Sequence, residues 1–68
     1  MPRFDVDRLN SALAARALDG EQLAQISGLH RSVVSRARLG RPIRLKTMVS
    51  ITQALERTEV RKLADLLA

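Results

Sequence analysis

The chain has 68 residues and sets twelve Lys+Arg against seven Asp+Glu, for a formal charge of +5 and an isoelectric point near 11.4. A chain this short makes one small domain, residues 1–68, which buries only about 60% of its unfolded surface and so needs short loops. Cysteine is absent, which excludes disulfides and thiolate metal sites; the single histidine, His30, cannot hold a metal alone, and no apolar run reaches the about 20 residues of a membrane span. Met1-Pro2-Arg3-Phe4-Asp5 lacks the apolar stretch of a signal peptide, so a soluble, cytoplasmic protein is expected.

The hydrophobic period is helical throughout, and the predicted class is all-α with five short helices. The first helix is predicted over Val6–Ala17, capped by Asp5, with Phe4 and Leu9 placed as a hydrophobic staple. Leu9, Leu13 and Ala17 form its buried stripe. The second is predicted over Gly20–Ser27, opened by Asp19 and by Gln22 as a variant capping box. Leu23 and Ala24 face inward, and Gly28 suits the left-handed position that ends a helix. The third runs from about Arg31 to Leu39, with Val33, Val34 and Ala37 inward and a basic, hydroxyl-bearing outer face. After the loop Gly40-Arg41-Pro42-Ile43-Arg44, a fourth is predicted from about Leu45 to Glu56, with Met48, Ile51 and Leu55 inward. Thr58 is read as the cap of a fifth, residues 59–68, where Arg61 and Asp65 form an i,i+4 pair.

The charge is distributed unevenly. From Gln22 to Leu55 there is no acidic residue, while Arg31, Arg36, Arg38, Arg41, Arg44 and Lys46 fall in that stretch. A one-sided cationic middle is the footprint of a polyanion; the alternative is a solvated basic face. Phe4 is the only aromatic residue, so the chain cannot build the stacking platform of a single-strand binder. Duplex DNA is therefore the expected polyanion.

Residues 20–39 place two short helices about the turn Gly28-Leu29-His30. Ala24 is small enough to let the helices approach, Gly28 supplies a positive φ, and Val34 and Ala37 fill the angle between them. This is the layout of a helix-turn-helix, whose second helix enters the major groove.

The run Leu23-Ala24…Gly28-Leu29…Val34-Ser35-Arg36…Gly40, followed by Met48…Ile51…Leu55, resembles the lambdoid phage repressor and Cro family, the XRE-like helix-turn-helix class, over about Leu9–Leu55. The resemblance implies a lambda-repressor-like fold and a sequence-specific, dimeric transcriptional regulator of duplex DNA; a homodimer on a palindromic operator is expected, with either a monomer or a dimer in free solution. Carried over residue by residue, it puts base contacts on Arg31, Ser32, Val33 and Arg36. Arginine suits guanine because its planar fork donates twice, to O6 and N7. Phosphate contacts are expected from Ser35, Arg38, Arg41, Arg44 and Lys46, which position without reading sequence. A cytoplasmic, DNA-associated protein follows, with no cofactor.

The chain departs from that pattern at three places. Gly20 stands where the family often has a phosphate-clamping glutamine, and Asp19 and Glu21 beside it repel phosphate. His30 stands where a Ser or Thr cap is common; a neutral imidazole can accept the same amide bond. Leu13 and Arg38 replace an arginine–glutamate pair between the first and third helices, which leaves Arg38 to face DNA. Val60, Leu63, Ala64, Leu66, Leu67 and Ala68 either close the core or form a self-association surface.

Enzymatic chemistry is not expected: there is one histidine, no cysteine and no phosphate-cradling glycine loop, and Ser32 and Ser35 lack an orienting acid. A competing class is a protein-interaction module, such as an antitoxin or anti-repressor, that uses the helix-turn-helix as a scaffold. A minor-groove hook at Gly40-Arg41-Pro42 is disfavoured by its single copy between helices.

Overall fold

In the computed structural model, which describes residues 1–60, the helical period resolves into α1 (Val6–Ala15), α2 (Gly20–Ser27), α3 (Arg31–Arg38) and α4 (Leu45–Glu56). No strand occurs among the described residues. No described helix is long and apolar enough to cross a membrane.

Three of the four helices open on a side chain that satisfies an otherwise unpaired amide. Asp5 Oδ1 accepts from the Arg8 amide at 3.0 Å. Asp19 Oδ1 accepts from the Gln22 amide at 2.7 Å, while Gln22 Oε1 accepts from the Asp19 amide at 3.0 Å. This completes the expected capping box. His30 Nδ1 accepts from the Ser32 amide at 3.1 Å. α4 has no side-chain cap, because its N-cap position is Arg44.

Three helices close on a left-handed residue: Ala17 (φ 55), Gly28 (φ 73) and Gly40 (φ 74). The amide of the residue after each left-handed position then reaches back to an orphan carbonyl. These bonds are Leu18 to Leu13 at 3.0 Å, Leu29 to Ala24 at 3.2 Å and Arg41 to Arg36 at 3.1 Å.

This geometry corrects the first predicted helix. It ends at Ala15 rather than Ala17, and Ala17 lies exposed outside it instead of extending the Leu9–Leu13 stripe. The i,i+4 period continued in the sequence beyond the point where the backbone turns.

The core comprises Leu9, Leu13, Leu23, Ala24, Val34, Ala37, Ile43, Ile51, Ala54 and Leu55, with Phe4, Leu18, Leu29 and Met48 packed against it. α2 is central, packing on both α3 and α4, and α3 also meets α1. The expected inward residues of α2 are buried. On α3, Val34 and Ala37 are buried and Val33 is only half-buried. Ile43 is a core residue that helical periodicity cannot reveal, because it sits in a loop. Its amide donates to the Pro2 carbonyl at 2.9 Å, which ties the N-terminal residues to the α3–α4 connection.

Thr58 finishes α4 instead of opening another helix. Its amide donates to the Leu55 carbonyl at 3.1 Å and its hydroxyl to the Ala54 carbonyl at 3.0 Å, and Glu59 and Val60 are not helical. Four helices rather than five are therefore present among the described residues. The expected fifth helix otherwise falls on residues 61–68, outside those described, as does most of the apolar set assigned to it.

Candidate nucleic-acid interface

α3 is held by its inner side. Val34 is 1% exposed and Ala37 0%, so both are clamped in the core and the rotation of the helix is set. Counting 100° per residue from Arg31, Ser35, Ser32 and Arg36 fall at roughly 40°, 100° and 140°. These four side chains are all exposed. Val33, Ala37 and Val34 occupy the opposite arc, at roughly 200° to 300°. Within α3 one side therefore carries guanidinium and hydroxyl groups, joined at its end by the exposed Leu39, and the other is apolar, with Val34 and Ala37 buried and Val33 half-buried.

Two open grooves flank this ridge. One, of about 400 Å³, is lined by Asn10, Gly20, Glu21, Arg31, Ser35 and Arg38 among others. The other, of about 470 Å³, is lined by Met1, Val33, Arg36, Pro42, Arg44 and Thr47 among others. Arg31 and Arg36 thus overlook opposite grooves, and Val33 presents its methyls to the second.

Arg38 differs from its expectation. It is half-buried, and its Nε donates to Asn10 Oδ1 at 3.2 Å. Its partner on α1 is Asn10 and not Leu13, which is 1% exposed in the core. Arg38 is consequently not released outward but laid along the first groove. Gly20 makes the space: a Cβ there would stand 3.1 Å from Arg38 Nη1. The Nε bond leaves the two terminal nitrogens as donors in that groove. They lie in the groove that Glu21 also lines.

Arg41, Arg44 and Lys46 are all exposed. Arg44 precedes α4 and Lys46 lies in its first turn, whose amides no side chain caps. Such amides, at the positive end of the helix dipole, favour an anion. Two of the acids near the helix starts, Asp5 and Asp19, are instead engaged as caps.

Besides Arg38, two arginines act within the fold. Arg16 donates through Nε to the carbonyls of Leu55 at 2.8 Å and Thr58 at 3.2 Å, and through Nη1 to Ala12 at 2.9 Å. It places a cation at the negative end of α4. Arg57 Nη2 donates to the Ile26 carbonyl at 3.3 Å, near the end of α2.

Sequence reasoning missed Asn10, Gly20 as a space-maker, and Thr47. Asn10 follows Leu9 directly, and only its position beside the buried stripe hinted at a role. Among the described residues, no group of three or more His, Cys, Asp or Glu side chains is placed to hold a metal. No family model matches the chain, and neither a curated protein nor a solved structure matches it.

Proposed function

We propose that the protein is a sequence-specific duplex-DNA-binding regulator in which α2, residues 28–30 and α3 act as a helix-turn-helix of the lambdoid repressor and Cro type. The supporting observation is the partition of α3: Arg31, Ser32, Ser35 and Arg36 are exposed together, while Val34 and Ala37 anchor the opposite side. A helix so held can enter a major groove about 12 Å wide without unpacking the core.

In this reading Arg31 and Arg36 read guanines, Ser32 bonds a base edge, and Val33 meets a thymine methyl. Ser35, Arg38, Arg41, Arg44 and Lys46 hold phosphates. The uncapped start of α4 adds backbone amides to the Arg44–Lys46 cluster. Two copies on a palindromic site account for how so small a reading surface gains specificity.

Selection of bound duplexes from a random pool at two salt concentrations tests the reading. The expected outcome is an enriched palindrome and an affinity that falls with salt, at a log–log slope near −0.9 per phosphate neutralised. Failure to enrich any sequence, with no duplex binding at low salt, overturns it.

A protein-interaction module is the second reading. Leu45 and Val49, one turn apart on α4, are 65% and 45% exposed and would serve as its contact surface. Near-stoichiometric binding of a protein partner without duplex binding would favour it.

A further inference from the structure

We propose that His30 fixes the hydrogen-bond polarity of Ser32, so that the Ser32 hydroxyl meets DNA as an acceptor and selects adenine or cytosine on the strand it faces. The proposal rests on the assignment of α3 as the reading helix.

The argument begins with one nitrogen atom. His30 Nδ1 lies 2.8 Å from Ser32 Oγ and 3.1 Å from the Ser32 amide nitrogen. At 2.8 Å, two lone pairs cannot face each other, so a proton must lie between Nδ1 and Oγ. If Nδ1 carried that proton, its N–H would oppose the Ser32 amide N–H. The amide contact therefore requires a bare Nδ1. The shared proton belongs to the serine, whose O–H donates to the imidazole; hydroxyl and amide share the single Nδ1 lone pair as a three-centre bond, and the ring proton resides on Nε2.

A serine hydroxyl has one proton and two lone pairs. With the proton committed to His30, Oγ presents only acceptor capacity outward. The donors in the major groove are adenine N6 and cytosine N4, whereas guanine and thymine present acceptors. Every base pair carries one such amino group. The hydroxyl therefore selects the strand that holds adenine or cytosine and does not separate A·T from G·C. Both His30 and Ser32 are exposed, and Ser32 lies among the outward residues of α3, so its hydroxyl is accessible to a base edge.

The test combines ring NMR with duplex selection. In ¹⁵N-labelled protein without DNA, two-bond proton–nitrogen correlations of His30 are expected to show Nε2 protonated and Nδ1 bare. A proton on Nδ1 overturns the proposal whatever the protein binds. In selection, one position is expected to favour adenine or cytosine about fivefold, the size of one net hydrogen bond. Ser32→Ala should abolish that preference. His30→Gly, which keeps a residue tolerated at helix starts but removes the acceptor, should reduce it toward parity. His30→Asp, whose carboxylate accepts from both the amide and the hydroxyl, should restore it.

An enriched site whose Ser32-dependent position favours guanine or thymine, or one indifferent to His30→Gly, overturns the proposal and leaves the DNA-reading assignment intact. Absence of any enriched duplex overturns both.

Discussion

Arg38 on α3 is tied to Asn10 on α1 by a 3.2 Å hydrogen bond through Nε, and its Nη1 lies over the bare backbone of Gly20. The bond joins the last turn of the proposed reading helix to α1 and orients a guanidinium along the groove below Arg31. Asn10→Ala is expected to lower the unfolding free energy by about 1 kcal/mol, the net worth of one such bond. It should also weaken all duplexes by a common factor. Urea titration and binding to several duplexes check the two effects; a change in base preference would mean that Arg38 reads sequence and not phosphate.

Arg36 and Arg44 line the same groove but are assigned different work. Arg36→Ala should cost about 1–3 kcal/mol of discrimination at one base pair. Arg44→Ala should weaken every duplex alike and reduce the salt slope by about 1. Competition titrations with single-base variants of the selected site separate the two, and undiminished discrimination by Arg36→Ala would remove Arg36 from base reading.

Ala17 is the weak point among the helix ends. It occupies the same left-handed position as Gly40, and the closing hydrogen bonds after α1 and α3 are equivalent. An L-residue there costs about 1–2 kcal/mol, whereas glycine loses about 0.5–1 kcal/mol more backbone entropy on folding. Ala17→Gly is therefore expected to stabilise the protein by about 0.5–1 kcal/mol, read from the denaturation midpoint. Gly40→Ala should do the opposite, because the added Cβ would lie 2.7 Å from Val6 Cγ2 in addition to the strained φ.

Arg16 satisfies carbonyls of α1 and of the α4 terminus together. Arg16→Ala is expected to destabilise by about 2 kcal/mol, since half-buried carbonyls lose charge-assisted partners. Arg16→Lys should recover only part of this, because one ammonium cannot reproduce the guanidinium fork. Thermal denaturation of the three proteins is the measurement, and equal midpoints would show that water replaces the side chain without loss.

What could be read in advance follows the range of each interaction. The caps at Asp5 and Asp19 bond an amide three residues away, so residue type and spacing suffice to name them; His30, which caps α3, was placed at a cap position only by the family resemblance. The outward set on α3 was legible for a similar reason: a 3.6-residue period with Val34 and Ala37 inside leaves little choice for Arg31, Ser32, Ser35 and Arg36. The Asn10–Arg38, Arg16–Leu55 and Ile43–Pro2 bonds span 28, 39 and about 40 residues along the chain; their partners exist only once the helices are assembled. Arg38 illustrates the limit. Its charge was evident, but α1 presents Asn10 to it while Leu13 faces the core. Ala17 illustrates another, because an apolar residue at i+4 continues a stripe in the sequence even where the backbone has already left the helix.

The bond between the Ile43 amide and the Pro2 carbonyl bears on how the protein should be handled. It fixes Pro2 beside the α3–α4 connection, and Met1, itself 78% exposed, borders the groove lined by Arg36 and Arg44, so an affinity tag joined ahead of Met1 emerges on the proposed DNA-facing side. A bulky or acidic fusion partner at that end would compete with duplex for the same arginines and mimic loss of function. Tags for binding assays are therefore better cleaved from this end before measurement.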